Sequence, residues 1–110
     1  MTETQFLHIV EETLAAIESA CESAGKATGV DIDCSRAGHV LNLEFEDGGK
    51  VVINAQAPMQ QLWLAARSGA LHFTYNDGYW VDTRGGTEFF DALSRAVSEQ
   101  AGMDVDLQAP

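Results

Sequence analysis

Val51-Val52-Ile53-Asn54-Ala55-Gln56-Ala57-Pro58-Met59-Gln60-Gln61-Leu62-Trp63-Leu64-Ala65 reads as a strand, a proline-bearing connection and a second strand. The β-branched run Val51-Val52-Ile53 carries the first strand, residues 50 to 54. Pro58, which cannot donate to a ladder, opens the short approach to Leu62-Trp63-Leu64-Ala65. If Leu62 and Leu64 face a core, alternation turns Trp63 outward, near Asn54 and Gln61. A large aromatic among amide side chains fits an interface anchor; it fits equally a tryptophan partly covered by a neighbouring strand.

On the N-terminal side, Glu46-Asp47-Gly48-Gly49 is a hairpin signal that joins residues 50 to 54 to a strand through Leu41, Leu43 and Phe45. Before a turn at Gly38, Val30, Ile32 and Cys34 alternate with Asp31 and Asp33, as in a strand with one wet face. On the C-terminal side, the alternating residues 71 to 75 follow Ser68-Gly69, and Asn76-Asp77-Gly78 turns the chain into Tyr79-Trp80-Val81. That gives about six short antiparallel strands.

Helices flank this meander. Phe6, Val10, Leu14, Ile17, Cys21 and Ala24 fall on one arc at about 100° per residue, which predicts a helix over residues 3 to 24 ended by Gly25 and Gly29. Thr87 reads as the N-cap of a second helix with Phe89, Phe90, Leu93, Ala96, Val97 and Gln100 on its core face and a stop at Gly102. Two one-striped helices and a sheet with one apolar face are most simply satisfied as an α+β two-layer sandwich with both helices on one side. We expect a single domain over residues 1–110, with its core at about 3–102 and a short acidic tail at 103–110.

Charge narrows the partners. The 110 residues carry a net charge of −11, with six Lys plus Arg against seventeen Asp plus Glu, which disfavours nucleic acid and anionic lipid. No stretch approaches the roughly 18 apolar residues of a membrane span, and the first ten residues lack a signal-peptide pattern; both predict a soluble, cytoplasmic protein. Cys21 and Cys34 form no CxxC or Cys/His cluster. In a reducing cytosol, on apolar faces, they are expected to be buried free thiols rather than a disulfide.

Residues 1 to 33 hold seven carboxylates against Lys26 alone. Glu11, Glu18 and Glu22 lie within roughly 40° on the helical wheel, bordering the apolar arc, and Asp31 and Asp33 follow at strand spacing; Glu3 and His8 are candidates to join them. Such carboxylates suit hard cations, including Fe(III), Mn(II) and Fe(II), in a shallow, open and weak site, since no EF-hand, HExxH or ExxH pattern is present. A run of acids is equally a solvated helix face. Such a face usually mixes signs, however, and no Lys or Arg occurs before Gly25. Scattered histidines, serines without a nucleophile-elbow setting and turn glycines give no hydrolase or nucleotide site.

The Val51 to Ala65 stretch is similar to the IN-x-Q-x-P-x-x-Q-[IV]-W-L-A pattern of the bacterial frataxin family. Asp31-Ile32-Asp33-Cys34, Leu71-His72-Phe73 and Gly86-Thr87-Glu88-Phe89 extend the resemblance from about Phe6 to Gly102. It implies a non-enzymatic monomer that binds iron, Fe2+ or Fe3+, weakly on a surface acidic ridge. It also implies docking on the cysteine desulfurase and scaffold complex of iron–sulfur cluster assembly, as a regulator or iron donor. By position, Glu18, Glu22, Asp31 and Asp33, with Glu11 beside them, are implied for metal; Glu18, Glu22, Asp31, Asp33, Asn54, Gln61 and Trp63 are implied for the partner. Ser19, Ser23, Gly25, Ala27 and Thr28 stand where the family is often acidic, and Lys26 adds a positive charge, so fewer or weaker ions are expected. The alternative is a metal-independent acidic adaptor for a basic protein. Ferroxidase chemistry is a third reading, without a buried di-iron ligand set to support it.

Overall fold

The computed structural model describes residues 1–109. The elements are α1 (Glu3–Thr28), β1 (Ile32–Ala37), β2 (Val40–Phe45), β3 (Lys50–Gln56), β4 (Gln61–Ala66), β5 (Gly69–Asn76), β6 (Tyr79–Asp82) and α2 (Phe89–Ala101), with a 3-10 turn at Ala57–Met59. Tight connections leave each strand beside its sequence neighbour, so the sheet is an antiparallel meander in the order β1 to β6. Both helices bury their apolar stripes with Leu41, Leu43, Phe45, Val51, Ile53, Leu62, Leu64 and Phe73 in one core. This is the two-layer α+β sandwich that the periodicities predict.

Helix α1 opens with a capping box: the Thr2 hydroxyl accepts from the Gln5 N–H, and the Gln5 carboxamide accepts from the Thr2 N–H at 2.8 Å. Its predicted arc is buried throughout, from Phe6 to Ala24. The predicted end is corrected. The helix runs through Gly25 to Thr28, and the left-handed residue that stops it is Gly29, at φ 78°. Gly25 remains helical; a Cβ there would lie 3.3 Å from the Val30 carbonyl oxygen, so its lack of a side chain serves a close approach rather than a stop. The first strand accordingly begins at Ile32 and leaves Val30 outside it.

The N-cap of α2 is Glu88 rather than Thr87. Glu88 is bridged to Val81 and its carboxylate accepts from the Phe90 N–H at 2.9 Å, whereas the Thr87 carbonyl is held by the Asp82 N–H. Gln100 is buried as expected, and its amide reaches Asp47 in the β2–β3 turn across Gly49, where a Cβ would come within 1.9 Å of it. The core does not stop at residue 102. Val105 and Leu107 are buried, and the Ser98 and Ser94 hydroxyls each both accept from and donate to their backbones. Alternation of two apolar with acidic residues let the tail look merely acidic, although Val105 and Leu107 face the protein.

Candidate functional site

Along β1 the burial alternates, so Ile32, Cys34 and Arg36 face the helices and Asp33, Ser35 and Ala37 face away. Arg36 is therefore aimed at the acidic flank of α1. Its Nε and Nη2 donate to Glu18 Oε1 at 3.2 and 2.6 Å, and its Nη1 donates to Glu11 Oε1 at 2.5 Å. The Arg36 side chain is 21% exposed against 38% for Glu18 and 58% for Glu11, so the pair closest to the core is the better shielded. Hydrogen bonding to Glu18 above all, and then to Glu11, holds the guanidinium proton more tightly than usual despite some desolvation. Glu11 and Glu18 of α1 thus have a cation after all, supplied by a strand rather than by the helix itself.

The remaining acids spread out. Glu22 sits 3.4 Å from Lys26, one turn on, with both side chains mostly exposed; such a pair contributes little. Asp31 is exposed just ahead of β1, and Asp33 lies on the outer face of the sheet opposite Glu44, which pairs with Lys50 at 3.6 Å. Among the described residues, no three His, Cys, Asp or Glu side chains converge as a metal-binding group. What the arrangement offers is a field of hard, mostly exposed oxygen donors whose ion contacts would be shared with water.

The outer sheet face holds the second constellation. Register places Asn54, Trp63 and His72 in one cross-strand row, with Gln56 and Gln61 in the next. Trp63 is half-buried: its ring stacks on His72 at 4.1 Å and 7°, and its indole N–H donates to Gln61 at 2.9 Å. The Gln56 amide donates to Asn54 at 2.8 Å. These contacts fix the rotamers of the row, giving a flat, pre-ordered patch whose binding would lose little side-chain freedom.

A match to the frataxin-like domain family covers residues 1–103. The chain belongs to the frataxin-like family. This frataxin-like chain is 51% identical to the iron–sulfur cluster assembly protein CyaY of Ralstonia nicotianae, over 99% of its own length and 96% of that protein's. It is likewise 51% identical to the CyaY of Bordetella parapertussis, covering 98% and 99% of the two chains. Among solved structures, it is similar to the frataxin of Psychromonas ingrahamii, with a TM-score of 0.80, 35% identity and coverage of 98% and 99%. It also resembles the trimeric frataxin of Saccharomyces cerevisiae complexed with ferrous iron, with a TM-score of 0.71, 30% identity and coverage of 84% and 85%.

Three residues of this frataxin-like domain have contacts that no motif shows. Arg36 is marked only by sharing the Ile32–Cys34 face of β1, a signal available from alternation alone. His72 becomes meaningful only through the β4–β5 register that sets it opposite Trp63. Cys34 is half-buried, contrary to the expectation of two buried thiols, because β1 is the sheet's edge; it lies against the buried Cys21, and both thiols are free.

Proposed function

We propose that this chain serves iron–sulfur cluster assembly as a non-catalytic, iron-binding regulator, or iron donor, that docks on the cysteine desulfurase complex. The observation that carries this reading is the near full-length likeness to proteins named for that pathway; the ferrous iron held by the yeast relative adds support for the metal. In this reading iron, Fe2+ or Fe3+, is cargo or signal. It is bound weakly at Glu22, Asp31 and Asp33, the acids that Arg36 does not hold, with water completing its shell. The same negative field steers the protein to a basic patch on the desulfurase, while Asn54, Gln61 and Trp63 supply the ordered contact. The protein acts in the cytoplasm as a monomer, since the net charge of −11 opposes self-association until a cation screens it.

Ligand binding to the folded state alone stabilises it by RT ln(1 + [L]/Kd), so anaerobic millimolar Fe(II) is expected to raise the melting temperature beyond the effect of matched ionic strength. A shift no larger than the salt control would sink the metal half of the proposal.

The Arg36 contacts favour a second reading, a metal-independent acidic adaptor, because they leave Glu11 and Glu18, two of the five acids, already paired with a cation of the protein itself. Glu22→Lys with Asp33→Lys separates the two readings. Desulfurase binding that is lost in this variant, together with no iron signal in the wild type, supports the adaptor.

A further inference from the structure

We infer that Arg36 is a specificity-determining residue of the acidic face: it acts as the resident cation of Glu11 and Glu18 and keeps divalent ions off them. The inference rests on the proposed reading that this face meets cations, and deepens it by assigning which acids do so. Glu11 and Glu18 are seven residues apart, about 10.5 Å along the helix axis, so their side chains must lean together to share one cation. Arg36 solves that geometry with a planar fork. Nη1 takes Glu11 while Nε and Nη2 take Glu18, from a side chain that β1 already presents to the helix. A divalent ion arriving here meets a guanidinium within a few ångströms, and must either displace a three-bond anchor or bind beside a fixed positive charge.

The remaining charges near the cluster do not duplicate this role. Lys26 is exposed and reaches Glu22, and Lys50 is on the outer sheet face with Glu44. Arg36 is the cation that lies between α1 and β1, and it is the more enclosed partner in both of its ion pairs. Removing its charge leaves the two carboxylates that shared one guanidinium without that counter-ion, and a hydrated divalent ion can take its place through water. Relief of the Coulomb repulsion between a unit positive charge and a divalent ion at about 5 Å in a watery setting makes the gain about tenfold in affinity.

Mn(II) serves as the probe, with the free-ion EPR signal reporting bound metal in wild type, Arg36→Gln, Arg36→Gln/Glu11→Gln/Glu18→Gln and Arg95→Gln. Arg95 is exposed on α2, so Arg95→Gln makes the same net-charge change away from the cluster. Arg36→Gln is expected to bind Mn(II) about tenfold more tightly than wild type. The triple variant is expected to return to the wild-type level, and Arg95→Gln to stay near it. Arg36→Met, which keeps an apolar stem, gives the same gain if Gln disturbs folding. Equal binding by wild type and Arg36→Gln, a gain that survives in the triple variant, or an equal gain in Arg95→Gln each overturns the assignment. Wild-type Mn(II) binding reads separately on the proposed function. If wild type binds nothing and Arg36→Gln does bind, the guard stands and iron binding by the native protein falls; if wild type binds and Arg36→Gln adds nothing, the reverse holds.

Discussion

Cys21 and Cys34 show how one contact divides two chemically identical groups. The hydrogen bond to Cys34, followed by burial and by the charges of Cys34 and Glu18, raises the Cys21 thiol pKa far above the ordinary value of 9.0. Receiving that bond lowers the pKa of Cys34, against desolvation and the nearby Glu18 and Asp33. Cys34, half-buried on an edge strand, is therefore expected to react with iodoacetamide well before Cys21, as peptide mass spectrometry of partly labelled protein would read. A Cys21 that reacts first contradicts the contact. The stability consequence has a definite sign. Below 9.0 both folded and unfolded chains keep the Cys21 proton; above it the unfolded chain sheds it and the folded chain does not, so stability falls as pH rises past that point. Cys21→Ala/Cys34→Ala, which removes both coupled thiols, should flatten this alkaline decline relative to wild type in urea unfolding at pH 8 and pH 10. Sequence spacing showed both cysteines on apolar faces. It did not show that the faces were opposite each other, because the two lie on elements whose relative placement only the folded chain sets. The role of Arg36 was hidden for the same reason: Lys26 is the helix's one Lys or Arg and lies in its last turn, and the residue that balances Glu11 and Glu18 arrives from a strand.

Helices and strands were largely legible, since their apolar periods are long and regular, while their ends were not. The α1 arc from Phe6 to Ala24 is buried as the wheel requires, yet Gly25 looked like a stop and is a packing glycine. What distinguishes Gly25 from Gly29 is a positive φ and the nearness of Val30, neither of which residue type reveals. The C-terminal segment makes the same point at the far end of the molecule. Val105 and Leu107 are too few to show a period, and their anchors Ser94 and Ser98 look like ordinary polar residues of α2 until the tail folds back on them. Leu107→Ala is expected to destabilise the protein by about 2–5 kcal/mol in urea denaturation, the range for a buried leucine truncated to alanine. A loss below 0.5 kcal/mol, the usual size for surface sites, would mean that the tail is dispensable to the core.

Across the whole molecule, the acid is organised by the two-layer architecture rather than by the helix on which most of it lies. The edge position of β1 brings Arg36 to Glu11 and Glu18, sends Asp33 to the opposite face, and leaves Glu22 and Asp31 at the open end. The outer sheet face, free of helices, carries the stacked Trp63–His72 row. Fold and family followed from the pattern around Val51 to Ala65, whereas the division of the acids into paired and open ones required the sheet's geometry. The proposed role depends on these two surfaces acting together on one partner. Calorimetric binding of the wild-type chain to its own organism's cysteine desulfurase, with and without Fe(II) under anaerobic conditions, tests that most directly. Saturable binding that weakens at least tenfold in Trp63→Ala and in Glu22→Lys/Asp33→Lys, and changes with Fe(II), is the predicted result. No binding, or binding indifferent to both variants, would contradict the account.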